Sequence, residues 1–353
     1  MKKIYFFLPN LNQGGAEKVI TILANGLSRT QFKVTLVLFE KKGHFLEEMK
    51  ADVEIIELKT DRIRTSIFKI ISLLRKEQPD IAFMGWGEIA AFISPWILFF
   101  KKTKFIARET NVVSEHVQRK EIRFFYRFYN HFHRIIAQSD DMKKDLVENW
   151  KIQSNKITKI NNPVDVKFIQ SQMMVKETLF EEGWKHVVAI GNLSARKGFD
   201  LLLNVFSHLK EEKIQLHILG DGVDKESLSA QKAALNLDHV HFLGIQHNPY
   251  PYLAQADLFV LSSRYEGFPN VLLEAGVCGT YALANHCPGG IDEIIEHGVN
   301  GEMASIENAE EFAIKIKELV HSGFDQKQIQ NSIQSRFSKE IIIKQYESIL
   351  NEL

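Results

Sequence analysis

Short β-branched and aromatic runs alternate with longer segments of helical period along nearly the whole chain, and this rhythm restricts the fold more than any other feature. Strand candidates lie at 4–8, 33–39, 53–57, 81–84, 103–108 and 134–138, and again at 186–190, 214–219, 240–242, 258–261 and 281–284. Helix candidates between them include 16–27, 199–209, 225–235 and 269–276. Alternation of this kind builds parallel sheets with helices on both faces. The strand runs are apolar without strict alternation, as strands covered on both faces should be. At 353 residues the chain is long enough for about two such domains. The join falls near 166–184, after Lys156-Ile-Thr-Lys-Ile-Asn-Asn-Pro-Val-Asp165, which reads as a last strand and an Asn-Pro turn. The expected domains are therefore 1–165 and 166–336, each a doubly wound α/β unit. The tail, 337–353, has helical period and could cap the second domain or cross back to the first.

Composition removes several function classes. Cys278 and Cys287 make no disulfide framework, and no Cys-x-x-Cys pair or His-Glu-x-x-His set is present to hold zinc. Free thiols suit a reducing cytoplasm. The opening apolar run stops at Pro9 and is too short for an export signal, and no segment of membrane-spanning length follows. Net charge is zero but uneven: residues 1–165 carry 28 Lys and Arg against 19 Asp and Glu. The first domain is thus expected to face something anionic.

In doubly wound sheets, ligands bind outside the carboxyl ends of strands, so the loops after strand candidates are where chemistry is sought. After the run ending at Ser263 comes Glu266-Gly-Phe-Pro-Asn-Val-Leu-Leu-Glu274. Pro269 can take the first helical position, leaving the amides of Asn270 and Val271 to face an anion. Glu274 then lies about one turn into the helix. Read alone, the pair could be ordinary surface glutamates. After 186–190 stands Gly191-Asn-Leu-Ser-Ala-Arg-Lys-Gly198, where Arg196 supplies a planar fork and Lys197 a point charge, a combination suited to a diphosphate. Gly14-Gly15 precedes the first helix and allows close backbone approach. It lacks the Gly-x-Gly-x-x-Gly spacing of nicotinamide sites. At Val240-His-Phe-Leu-Gly244, backbone groups around Leu243 could read a nucleobase edge.

Taken together, Arg196-Lys197-Gly198, Gly220-Asp-Gly222, the Glu266–Glu274 segment and the stretch 289–301 resemble the retaining glycosyltransferases of family 4 over essentially the whole chain. The resemblance implies the GT-B fold, two doubly wound Rossmann-like domains facing a central cleft. It implies that Glu266 contacts donor-sugar hydroxyls near the reacting carbon and that Glu274 holds the ribose. Arg196 and Lys197 would neutralise the departing diphosphate, with Gly14, Gly15, Phe268, Asn270, Val271 and Leu243 around the donor. The reaction implied is transfer of a hexose or N-acetylhexosamine from a nucleotide-diphosphate sugar, with a UDP-sugar preferred over GDP-mannose. Configuration would be retained, and no metal or other cofactor is expected. The Gly14-Gly15-Ala-Glu-Lys18 opening looks like members that build surface polysaccharides or lipid-linked oligosaccharides.

Two positions depart from the pattern. Asn192 stands where many members have Arg, which shifts the load to Arg196. No His follows the strand at 103–108, so Glu109 or Asn111, and less readily His116, would take its place beside the sugar.

The basic excess of the first half gathers in 61–76, a basic amphipathic helix candidate, and in 119–134, where cations and aromatics interleave. An anionic membrane surface and an acceptor on a polyprenyl diphosphate or glycolipid fit this excess. Nucleic acid fits less well, since no recognised module accompanies it. Two rival functions remain on the same architecture: a sugar-nucleotide epimerase or related enzyme, and a non-catalytic sugar-nucleotide-binding partner.

Overall fold

A computed structural model describes residues 1–60, 62–175 and 177–353. Asp61, which opens the basic stretch 61–76, and Lys176, within the expected join, lie outside them. The chain divides into two units, Met1–Pro163 with Lys339–Leu353, and Val164–Ser338.

The first unit is built on seven parallel strands: β1 Lys2–Leu8, β2 Phe32–Leu38, β3 Glu54–Glu57, β4 Ile81–Met84, β5 Lys104–Arg108, β6 Arg134–Ala137 and β7 Ile157–Lys159. Their order is β3-β2-β1-β4-β5-β6-β7. The second has six: β8 Lys185–Ile190, β9 Ile214–Leu219, β10 Val240–Gly244, β11 Leu258–Leu261, β12 Ala282–Asn285 and β13 Gly301–Ala304, ordered β10-β9-β8-β11-β12-β13. All named pairings are parallel. Central strands such as Ile81–Met84 and Ile214–Leu219 are buried at every position, so alternating side chains feed cores on both faces.

The strands read from the sequence appear within one or two residues at each end. β13 does not: Gly301-Glu-Met-Ala304 has little intrinsic strand preference and is supported by in-register pairing with Ala282–Asn285. The unit boundary falls at Pro163/Val164, two residues before the expected one. Of the two placements open to the tail, the structure takes the crossing. The helix Lys339–Glu352 packs on the first unit, with Tyr346 and Leu350 in a core shared with Ile4, Phe6 and Phe83. Lys2 Nζ donates to the carbonyls of Leu350 at 3.0 Å and Asn351 at 2.9 Å. Among the described residues no helix is long and apolar enough to cross a membrane.

Candidate active site

Strand succession reverses between β8 and β11, and at such a switch point the two following loops diverge and leave room for a ligand. The loop after β8 makes one 3-10 turn, Ala195–Lys197, closed by Gly198 at φ 64°, ψ 26°. A Cβ on Gly198 would lie 2.1 Å from the Ser262 carbonyl oxygen. Only glycine allows that approach, and it lets Ser262 Oγ donate to the Lys197 carbonyl at 2.8 Å. Arg264 fastens the same turn from its other side. Its backbone N–H donates to the Arg196 carbonyl at 2.8 Å, and its guanidinium donates to the Ala195 carbonyl at 2.6 Å. The guanidinium also grips Asp200 bidentately at 2.7 and 2.6 Å. Two loops about 70 residues apart in sequence are thereby fixed against each other.

Glu266 stands at this junction with 4% exposure. Lys197 Nζ donates to its Oε1 at 2.6 Å, Ser263 Oγ to the same oxygen at 2.7 Å, and Arg196 Nη1 to Oε2 at 2.9 Å. Burial alone would raise the carboxyl, but Lys197 and then Arg196 outweigh it and hold Glu266 below its ordinary value. The carboxylate is therefore ionised, and the surplus charge of the trio is positive. Glu266 is salt-bridged to both cations and fixes them against each other. The Arg196 guanidinium also lies 5.9 Å from the Tyr265 ring centroid.

Glycines fit the other loops around this junction. Gly289, at φ 134°, runs so close to Glu266 that a Cβ would sit 2.4 Å from the Glu266 carbonyl oxygen, while the Glu266 N–H donates to Pro288 at 2.9 Å. Gly220 and Gly222 likewise press against the backbone of Gly191 and Leu193.

The next helix is Asn270–Cys278, and Pro269 is its N-cap rather than its first residue, since its ψ of 102° is extended. No side chain caps this start, and Asn270 and Val271 form its first two positions. Glu274 is buried on the same helix. The Phe268 ring is 5% exposed and edge-on to Phe337 at 5.5 Å, so this side chain packs in the core beside the loop. The Leu243 carbonyl, at the end of β10, accepts from Gln246 Nε2 at 2.7 Å. Burial, with Glu266 adding to it, pushes the nearby Cys287 thiol up to about 12, so it is no nucleophile.

The corresponding reversal in the first unit lies between β1 and β4. Gly14 caps the helix Gly15–Gly26 without a side-chain bond. Its own N–H donates to the Asn12 carbonyl at 2.9 Å. A Cβ on Gly14 would meet Glu17 Oε2 at 2.3 Å, so the missing side chain makes room for a carboxylate over the helix start. Burial raises that carboxyl to about 7, opposed by its own N–H and by Arg108. Arg108 is fully buried at the end of β5 and donates to Asn162 Oδ1 at 2.7 Å.

Glu109 follows directly, 3% exposed. Tyr129 Oη is 2.6 Å from its Oε1 and Tyr126 Oη 3.2 Å from its Oε2. Burial raises it to about 7 although both phenols lower it. Glu109 is thus enclosed by two tyrosines stacked 4.2 Å apart. Asn111 is half-buried, with Nδ2 3.4 Å from Thr110 Oγ1, and His116 is exposed at the end of the short helix Val113–His116. Sequence reasoning missed Ser263, the Arg264–Asp200 clamp and buried Glu17. Only the acidic residue after Gly14-Gly15 carried a signal, as the third residue of a helix with an uncapped start.

The model of the family described as Glycosyltransferase Family 4 matches residues 13–168, and that of Glycosyl transferases group 1 matches residues 170–336. The chain is a family 4 glycosyltransferase. This glycosyltransferase is 27% identical, over 95% of both chains, to a Campylobacter jejuni enzyme named N-acetylgalactosamine-N,N'-diacetylbacillosaminyl-diphospho-undecaprenol 4-alpha-N-acetylgalactosaminyltransferase. It is 25% identical, over 96% of both chains, to a lipopolysaccharide core biosynthesis glycosyltransferase of Rhizobium meliloti. Its fold matches that of HepE from Anabaena, solved in complex with UDP-glucose, with a TM-score of 0.83 over the whole of both chains at 19% identity. The GT-B class expected from the sequence is the class observed.

Proposed function

We propose that this glycosyltransferase moves a hexose or N-acetylhexosamine from a UDP-sugar to a lipid-linked glycan, retaining configuration and using no metal, in cell-surface polysaccharide synthesis. The observation that carries this reading is the Arg196–Glu266–Lys197 trio at the β8/β11 switch point. As the bond from the anomeric carbon to the diphosphate breaks, negative charge grows on the leaving oxygens. Fixed cations lower the energy of that state most where they are already oriented. Arg196 and Lys197 are oriented by Glu266, Ser262 and Arg264 before any ligand arrives, and they supply the positive charge a divalent ion would otherwise bring. The acceptor oxygen forms the new bond, and with retention its proton passes to the departing phosphate oxygen on the same face.

The relatives in surface-glycan and lipid-linked oligosaccharide synthesis support the acceptor class, and the UDP-bound fold neighbour supports the donor base. The test incubates the purified protein with UDP-sugars, a polyprenyl-diphosphate-linked sugar and a chelator. Transfer should persist with chelator, give the donor's anomeric configuration by NMR, and fall at least about a hundredfold in Lys197→Met. A sugar nucleotide converted without acceptor would replace this reading by an epimerase. Binding of a UDP-sugar in calorimetry with no transfer by the purified protein would replace it by a binding partner, and unimpaired transfer by both Lys197→Met and Glu266→Gln would remove the role given to the trio.

A further inference from the structure

One face of the seven-stranded sheet is covered by the helices Ile63–Glu77 and Gly87–Ile93, the turn Ser94–Phe99 and the segment 120–131. Ile67, Ile70, Ile89 and Tyr126 point inward from this layer into one core. Its outward side is unusually apolar for a surface. Phe68, Leu98, Phe99 and Phe124 are 67%, 65%, 70% and 51% exposed. Among the described residues the exposed phenylalanines also include Phe168, so three of the four stand on this layer. They are not scattered. Phe68 meets Trp96 edge-on at 6.3 Å, and Trp96 meets Phe99 at 6.1 Å. Ser94 ties the 120–131 segment to the same turn, donating from Oγ to the Phe125 carbonyl at 3.0 Å.

Cations surround these side chains. The layer's segments 62–77, 87–102 and 120–131 carry 10 Lys and Arg against 3 Asp and Glu. Arg64 lies exposed on the helix that presents Phe68, Lys101 and Lys102 follow Phe99, and Arg127 stands over the Phe124 ring at 5.5 Å. Exposed apolar groups ringed by long basic side chains match a surface that is apolar inside and anionic at its rim.

We propose that this layer docks the first unit on an anionic phospholipid bilayer, the exposed phenylalanines and Leu98 entering the headgroup boundary and the cations meeting lipid phosphates. Charge complementarity selects the bilayer over a second copy of the chain, whose equivalent layer would bring like charges together. The proposal does not rest on which sugar is transferred.

Flotation of the full chain with vesicles of phosphatidylcholine, alone or mixed with phosphatidylglycerol, tests it. Partitioning onto phosphatidylglycerol vesicles is expected. Each cation near such a surface contributes on the order of fivefold, so neutralising two with Lys101→Gln/Lys102→Gln should cost roughly 30-fold. Phe68→Ser/Phe99→Ser should cost at least about tenfold. Ile314→Ser, 53% exposed in the second unit, should change nothing. Circular dichroism confirms that each variant is folded. Absence of binding to phosphatidylglycerol vesicles, equal binding by Phe68→Ser/Phe99→Ser, or an equal loss in Ile314→Ser overturns the proposal. So does a dimer in sedimentation that Phe68→Ser/Phe99→Ser dissolves while vesicles go unbound. Because binding is read without turnover, it can fail while the transferase reading stands, and the reverse.

Discussion

Replacing Glu266 by Gln removes the negative member of a buried trio while keeping its shape. The Lys197 side chain is 10% exposed and that of Arg196 28% exposed. Arg196 can turn towards water, whereas Lys197 is left as a buried cation without its counter-ion. Breaking a buried pair in this way costs about 3–5 kcal/mol, and the partial exposure of Arg196 puts the expectation at the low end, about 3 kcal/mol. Lys197→Met leaves Glu266 with Arg196 and Ser263 and should cost about 2 kcal/mol. The double variant buries neither charge, so its cost should fall short of the sum by at least about 2 kcal/mol. Hydrogen exchange on peptides from β8 and β11, read by mass spectrometry, reports the opening of this unit separately from the other. Glu266 is held low in the folded chain. Its contribution is therefore present above the ordinary carboxyl range and is lost as pH falls through the lowered value. Glu266→Gln should flatten that acid limb. Additivity within about 0.5 kcal/mol, or an acid limb unchanged by Glu266→Gln, would refute the electrostatic account of the trio.

Three further outcomes are expected. Gly198→Ala puts a Cβ 2.1 Å from the Ser262 carbonyl at a left-handed backbone position, so it should destabilise the second unit by at least about 2 kcal/mol and weaken UDP binding in calorimetry. Burial raises Glu109 from its ordinary 4.5 to about 7, so the folded chain holds a proton there that the unfolded chain has lost, and stability should fall as pH rises through that window. Glu17 acts with the same sign, and Glu109→Gln should remove about half of the slope in a series of thermal melts across the window. Tyr346→Ala deletes a side chain 1% exposed on the buried face of the tail helix, and should cost about 3–5 kcal/mol in hydrogen exchange of β1 and β4; a loss confined to β8–β13 would contradict the placement of the tail.

The strands were legible because strands buried on both faces must be continuously apolar, as Phe83 and its neighbours in β4 and Leu216 and its neighbours in β9 are. β13 was not, because Gly301-Glu-Met-Ala304 takes its conformation from β12. Arg196, Lys197, Glu266 and Glu274 stood out as candidates because charged residues follow strand ends beside glycines. The partners of Glu266 were not, since hydrogen bonds spanning 70 residues leave no local period. The burial of Phe268 and Glu109 was illegible for a related reason: a loop position next to a strand end does not say whether the side chain faces solvent or the core.

The sequence by itself determined the two parallel α/β units and the loops in which cations, carboxylates and glycines gather, because period, turn chemistry and backbone freedom are local properties. The tertiary structure alone decided that Glu266 is an ion-paired anchor, that Phe268 is core, that Glu109 lies under two tyrosines and that the tail closes the first unit. Each of these depends on burial and on distances between residues far apart in the chain, and those exist only once the sheets have formed.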